Sequence, residues 1–150
     1  MFTSGGGSLG WSGGAAVGVK LAHPDRTVVS IVGDGSFMFS MPSSVFWMAR
    51  KYQTPFLQIV LNNGGWNAQR FSTLSVHPEG FASRAKDIDM SFEPAPDYAG
   101  IANAAGGAFA RIVRHPSEVG EALEQGLRVV REEKRCAVLD VWLSKLRKTD

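Results

Sequence analysis

Thr27-Val28-Val29-Ser30-Ile31-Val32-Gly33-Asp34-Gly35-Ser36 is the stretch on which the fold turns, and Phe56-Leu57-Gln58-Ile59-Val60-Leu61-Asn62-Asn63 is its counterpart. Each is an apolar run that ends in polar residues. The first leaves a strand through a glycine turn that carries a carboxylate, and the second leaves a strand through two side-chain amides. In a parallel sheet two such strand ends lie side by side, where open α/β sheets bind ligands. A carboxylate, an amide oxygen and closely approaching backbone suit a hard, oxygen-preferring cation that carries a phosphate group. Asp-Gly and Asn are common in turns, so either half alone reads as turn chemistry. Together, within the thirty-one residues from Gly33 to Asn63, they read as a site.

Working outward, the small and apolar residues from Trp11 to Leu21 predict a closely packed helix, closed by His23-Pro24-Asp25-Arg26. Thr27–Val32 is an uninterrupted run, β-branched but for Ser30, as a strand buried on both faces should be. Ser40 followed by Pro42 predicts an N-cap and first turn for a helix that runs to Tyr52. Phe56–Leu61 is the next strand. Residues 64–96 read as irregular, with a short helix after Trp66, and a long ordered loop of this kind tends to be functional. Asp97 caps a helix through Ala105, Gly106-Gly107 ends it, and Ala108–Val113 is a strand. Pro116-Ser117 opens a helix marked by Val119, Leu123, Leu127 and Val130, and Ala137–Leu143 is the last strand. Alternating strands and helices predict an α/β fold with a parallel sheet and helices on both faces. Residues 1–150 form one domain without internal repeats.

The chain is long enough for a sizeable core, and 44% hydrophobic with 20% charged residues is a globular composition. A net charge of +2 without a basic stripe excludes a nucleic-acid binder. Lys145-Leu146-Arg147-Lys148 reads as a solvated basic tail. The single Cys136 rules out an internal disulfide, fits a reducing, intracellular setting, and sits in a strand as a core thiol. No apolar run reaches the roughly 18 residues of a membrane span. No signal-peptide pattern is read at the N-terminus, and any targeting segment would lie upstream of Met1.

Two motifs are decoys. Gly5-Gly6-Gly7-Ser8-Leu9-Gly10 matches the dinucleotide fingerprint, which has mechanical meaning only after a strand. Gly10-Trp11-Ser12-Gly13-Gly14 matches the nucleophile elbow, which needs a strand and a histidine partner. His23, His77 and His115 are each followed by proline, which holds them in loops or at element edges and disfavours both a triad and a His/Cys metal site.

Gly33-Asp34-Gly35-Ser36 through Asn62-Asn63 resembles the cofactor motif of thiamine diphosphate-dependent enzymes. Gly7-Ser8-Leu9-Gly10 and Ala15–Ala22 ahead of it, and Asp97-Tyr98 and Val138–Val141 after it, resemble the same domain in the acetolactate synthase, benzoylformate decarboxylase and pyruvate decarboxylase group. The resemblance implies a thiamine diphosphate-binding fold of the diphosphate-binding type, with its first strand–helix unit expected to be missing. It implies Mg²⁺ held by Asp34, Asn63 and the Gly65 carbonyl. Gly33, Gly35 and Ser36 would face the diphosphate, and Leu9 would prop the bent cofactor. Gly7 would accept a hydrogen bond from the aminopyrimidine, with Ser8 beside it. Trp66 and Phe71 are candidate pocket walls, with core or lid packing as their other reading.

The implied activity is that of a lyase or transferase, decarboxylating a small 2-oxo acid or joining it to a second carbonyl. No catalytic residue is assigned within the chain, because the resemblance places the activating glutamate on another domain. The chain is therefore expected to be the C-terminal portion of a larger enzyme, inactive alone. The full-length form would be a homodimer or homotetramer, with FAD possible on a different domain. Pro42-Ser43-Ser44 departs from the Gln-Glu-Leu-like run usual in the family, which bears on subfamily. Two alternatives stand beside this one. One is a non-catalytic partner that docks on a full-length enzyme through an exposed sheet edge. The other is an α/β domain that binds a different phosphate ligand with Mg²⁺.

Overall fold

Four strands form one parallel sheet in the computed structural model, which describes residues 1–5, 7–85 and 88–143. Gly6 of the first decoy and the basic run 145–148 lie outside the described residues. The strands are β1 (Val29–Gly33), β2 (Leu57–Asn62), β3 (Phe109–Val113) and β4 (Ala137–Trp142), in the spatial order β1-β2-β4-β3. The helices are α1 (Trp11–Ala22), α2 (Asp34–Phe39), α3 (Pro42–Lys51), α4 (Asn67–Val76), α5 (Phe81–Arg84), α6 (Tyr98–Gly106) and α7 (Val119–Arg131). A short 3₁₀ turn, Pro116–Glu118, precedes α7. The parallel α/β architecture read from the alternation is the one observed.

The larger core lies on one face, where α1, α2, α3 and α6 pack on Val28, Val32, Val60 and Val138. Through it runs an aromatic column. Tyr98 meets Phe37 edge-on with centroids 5.8 Å apart, and Phe46 stacks on Phe56 at 5.4 Å. On the other face α7 packs its Ala122, Val129 and Val130 on Leu57, Val113, Ala137 and Leu139. Cys136 is buried against the Thr54 carbonyl, and burial pushes its thiol up to about 11, so it is the core thiol expected. Asp97 caps α6 by accepting from Gly100 N–H at 2.8 Å, also as expected.

Three local readings change. β1 is not buried on both faces: Val29 is 45% and Ile31 64% exposed. β1 ends the sheet, and α7 packs across β2, β4 and β3 without covering it. A groove of about 620 Å³ follows this edge from Phe2 and Trp11 past Val29 and Ile31 to Ser36. Ser40 is not an N-cap. The residues expected as a glycine turn after β1 open a helix, α2, which starts at Asp34 itself, and Ser40 closes it, its hydroxyl donating to Phe37 O at 2.6 Å. Met41, at φ 54°, is the N-cap of α3, and Pro42 takes the first turn as expected. An acidic residue in the first turn suits the start of α2, and Phe37 anchors that helix in the core. The short helix expected after Trp66 is α4, although 64–96 also contains α5.

Candidate functional site

β1 and β2 pair in register from Val29 with Leu57 to Gly33 with Leu61, so the residues that follow each strand emerge side by side. Asp34 is buried at the head of α2. Its Oδ2 accepts from Gly64 N–H at 2.8 Å and Gly65 N–H at 3.0 Å, and its Oδ1 accepts from Gly35 N–H at 3.0 Å. Burial raises the Asp34 carboxyl above the ordinary value, and these three amides pull the other way.

Gly65 has φ +154°, which a side chain rarely adopts, and a Cβ there would overlap the Met90 carbonyl oxygen. The segment around Met90 straps this turn: Trp66 N–H donates to Met90 O at 2.8 Å and Phe92 N–H to Gly64 O at 2.9 Å. Gly35 is needed for closeness, since a Cβ there would lie 2.6 Å from the Trp66 ring. That ring also meets Phe92 edge-on at 5.1 Å. The Trp66 indole therefore packs over the glycine turn.

Asn63 decides what the cluster can hold. Asn67, at the start of α4, donates its amide N–H to the Asn63 main-chain carbonyl at 3.1 Å and to Asn63 Oδ1 at 2.8 Å. In this orientation Asn63 Oδ1 stands 2.9 Å from the Gly65 carbonyl oxygen and 3.3 Å from Asp34 Oδ1. Turning the Asn63 amide over would put a donor against both oxygens. It would also set its –NH₂ against the –NH₂ of Asn67, which the main-chain carbonyl holds in place. The oxygen-inward orientation is the one consistent with both bonds from Asn67. Three oxygens then converge without a proton between them. The edge of a Mg²⁺ octahedron with ligands near 2.1 Å is about 3.0 Å. The donor set and its spacing fit that ion.

Charge points the same way. Asp34 and Asp140 are the buried carboxylates among the described residues, and no Lys or Arg is buried with them. Asp140, on β4, accepts from Asn62 Nδ2 at 3.0 Å and from Trp142 Nε1 at 3.1 Å, and burial raises its carboxyl despite these bonds. Asn62 Oδ1 in turn accepts from Gly64 N–H at 3.2 Å. The Tyr98 hydroxyl is buried without a hydrogen-bond partner, and burial, then the charges of Asp34 and Asp140, push its phenol upward.

The structure thus brings Asp34, Asn63, Gly65, Gly35 and Trp66 together. Gly33, at the end of β1, is exposed. Ser36 is joined to the glycine-rich segment, its Oγ accepting from Gly10 N–H at 3.0 Å, which leaves its own proton to donate. Gly7, Ser8 and Leu9 are exposed; the 620 Å³ groove reaches Ser8 and Ser36, without being lined by Asp34 or Asn63. Phe71 is exposed on α4. Sequence reading places Asn62 in the amide pair without a separate role, and assigns no site role to Asn67, Tyr98 or Asp140. Two of them had a signal: a charged residue inside the apolar run Ala137–Val141, and a further amide four residues after Asn63.

The decoys stay decoys. Ser12 lies within α1, with no strand among the described residues before it. His23 and His77 end helices, and His115 caps the 3₁₀ turn. No cluster of three or more His, Cys, Asp or Glu that could hold a metal occurs among the described residues. No helix there is long and apolar enough to cross a membrane.

Residues 1–141 match the family described as thiamine pyrophosphate enzyme, C-terminal TPP binding domain. Benzoylformate decarboxylase of Pseudomonas aeruginosa is 42% identical over 65 residues, 43% of this chain and 12% of that protein. The acetolactate synthase isozyme 3 large subunit of Escherichia coli is 30% identical over 128 residues, 85% of this chain and 21% of that one. The thiamine diphosphate-dependent 4-hydroxybenzoylformate decarboxylase of Rhodococcus jostii RHA1 shares the fold, with TM-score 0.69 at 22% identity. That likeness covers 94% of this chain and 24% of the other. The chain thus spans between 12% and 24% of the length of these proteins.

Proposed function

The chain belongs to the thiamine pyrophosphate enzyme family, as its C-terminal cofactor-binding domain, and from that premise we propose that it holds thiamine diphosphate through Mg²⁺ as part of a 2-oxo acid decarboxylase or carboligase of the acetolactate synthase-like group. The observation that carries the reading is the convergence of Asp34 Oδ1, Asn63 Oδ1 and the Gly65 carbonyl, with oxygen separations of 2.9 and 3.3 Å. Those three oxygens would bind the metal. The Ser36 hydroxyl would donate to the diphosphate, and the backbone of Gly33 and Gly35 would lie against it. Gly7, Ser8 and Leu9 would address the aminopyrimidine end. When bound, thiamine diphosphate would supply a nucleophilic thiazolium carbon together with a cationic ring that takes up the electron pair left when a 2-oxo acid loses CO₂.

The chain's own residues would bind and orient. Burial raises the Asp34 carboxyl, and three N–H groups favour its charged form against that burial, the form in which it would bind the metal. Trp66 and Phe92 form an apolar cover beside the turn, which would exclude water. Among the described residues no glutamate is buried. The activating glutamate is therefore proposed to come from another domain or subunit, the complete enzyme being a homodimer or homotetramer. The open edge at β1, with its exposed Val29 and Ile31, favours such packing and is also where a docking partner would sit.

Calorimetric titration with thiamine diphosphate tests the reading, with and without Mg²⁺ and with Asp34→Ala. Binding is expected to require the metal and the carboxylate. Binding that ignores both would overturn the assignment.

A further inference from the structure

Resting on that reading of the metal site, we propose that Asn67 is a positioning residue that decides whether the site can take a cation. Asn67 donates its main-chain N–H to the Gly65 carbonyl at 2.9 Å, a bond that a change of side chain leaves in place; the side chain is the part at issue. It acts on Asn63, and through Asn63 on the side-chain oxygen that the metal would use.

The Asn63 amide has two orientations that fill the same space. With oxygen inward, Asn63 accepts from Asn67 at 2.8 Å and offers its oxygen beside the Gly65 carbonyl and Asp34 Oδ1. With nitrogen inward, it donates to those two oxygens at 2.9 and 3.3 Å. The second orientation satisfies an empty cluster, and it plugs the site with N–H groups that repel a cation. Left to itself, the empty chain would favour the plugged form. Asn67 opposes it, because a main-chain carbonyl has no proton to give. The Asn67 atom 3.1 Å from Asn63 O must be the nitrogen, and its other proton then requires an oxygen opposite. The main chain of Asn63 thus dictates, through Asn67, the orientation of Asn63's own side chain. Asn67 is the first residue of α4, and the glycine turn ahead of it folds back so that its side chain meets Asn63.

Asn67→Asp separates orientation from charge. A carboxylate at this place accepts only, so it selects the Asn63 –NH₂ and turns the amide toward the plugged form. Its negative charge, acting alone, would tighten cation binding. The two effects have opposite signs. The probe is Mn²⁺ in the presence of thiamine diphosphate, with free Mn²⁺ counted by its EPR signal, on the 150-residue chain. Asn67→Asp is expected to weaken Mn²⁺ binding by about 10- to 100-fold, the range typical of residues that orient a metal ligand. Asn67→Ala, which leaves the amide free to turn, should weaken it by less. Far-UV circular dichroism checks that both variants fold, and Asn67→Ala decides if Asn67→Asp does not. Affinity equal to or tighter than the parent in a folded variant overturns the inference alone. Failure of the parent to take up Mn²⁺ overturns the metal reading, and this inference with it.

Discussion

Gly65→Ala adds one carbon at the point where the metal-facing turn meets its strap. The new Cβ would overlap the Met90 carbonyl oxygen, with Met90 C at 3.1 Å and Ser91 Cα at 3.2 Å next in line. All three are backbone atoms, so no side-chain rotation relieves the clash. Two responses are open. The strap can move, giving up the bonds Trp66 N–H to Met90 O and Phe92 N–H to Gly64 O. At about 1 kcal/mol each that is about 2 kcal/mol. Alanine then stays at φ +154°, for a further 1–3 kcal/mol, roughly. Otherwise the turn rotates to a relaxed φ and gives up the Gly64 and Gly65 N–H bonds to Asp34 Oδ2. Those bonds reach a carboxylate, so they are worth about 1.5–3 kcal/mol each.

The first route comes to about 3–5 kcal/mol and the second to about 3–6 kcal/mol, a large part of the roughly 5–15 kcal/mol that holds a domain of this size. Urea denaturation followed by tryptophan fluorescence reads that loss. Stability alone does not separate the routes, and Mn²⁺ affinity does. A displaced strap leaves the Gly65 carbonyl aimed at Asn63 Oδ1, so affinity survives, whereas a rotated turn removes one ligand. A loss below about 1 kcal/mol with affinity intact would refute the reasoning, since φ and the strap would then constrain nothing.

Asp140→Asn should flatten the pH dependence of stability. Burial raises the Asp140 carboxyl, so the folded chain holds its proton more tightly than the unfolded chain does. Stability therefore falls as pH rises from the unfolded value near 4 through the raised folded value, and the neutral amide removes that contribution. Urea midpoints between about pH 4 and pH 8 check it, and an unchanged slope counts against it. Ile31→Lys should change stability by less than about 0.5 kcal/mol, because the side chain is already 64% exposed. A larger loss in the chain alone would mean that this face is covered. The 150-residue chain, loaded with thiamine diphosphate and Mg²⁺, should release no CO₂ from pyruvate or benzoylformate, and measurable turnover by it would remove the need for an outside glutamate.

The order of strands and helices was legible because each apolar run is bounded by turn chemistry. Asp97, Gly106-Gly107 and Pro116 mark their boundaries without help from the rest of the chain. The environment of β1 was not legible. A β-branched run reads the same whether a neighbour covers it or not, and only the sheet order makes it an edge. The misread at Ser40 has a similar cause. Ser40 and Pro42 look like a helix start, but Phe37 buries itself in the core and draws the preceding residues into α2. Pattern within one helix did not reveal that tertiary anchor. In the site, Asp34 and the Asn62-Asn63 pair stand out at their strand ends, while Gly65 is named only through the family resemblance. Asn67 and Asp140 act through hydrogen bonds to Asn63 and Asn62, and such partners leave little trace in a single sequence.

Asn62 and Asn63 are the same residue type in succession and do different work, because successive side chains at a strand end point to opposite sides. Asn62 turns toward β4, where Asp140 fixes its amide, and its oxygen then holds Gly64 N–H. Gly64 N–H is shared with Asp34 Oδ2. A continuous path therefore runs from Trp142 through Asp140, Asn62 and Gly64 to Asp34, crossing from β4 over β2 to the end of β1. Asn63 turns outward and offers its oxygen. The first amide fixes the backbone of the turn, and the second presents a ligand from it. Replacing Asn63 removes a ligand and leaves the turn in place. Replacing Asn62 leaves every ligand side chain in place and frees the turn that aims them. Metal affinity should fall in both cases, and thermal stability of the metal-free chain should fall mainly with Asn62, whose loss takes one hydrogen bond from the buried Asp140 and leaves it the bond from Trp142.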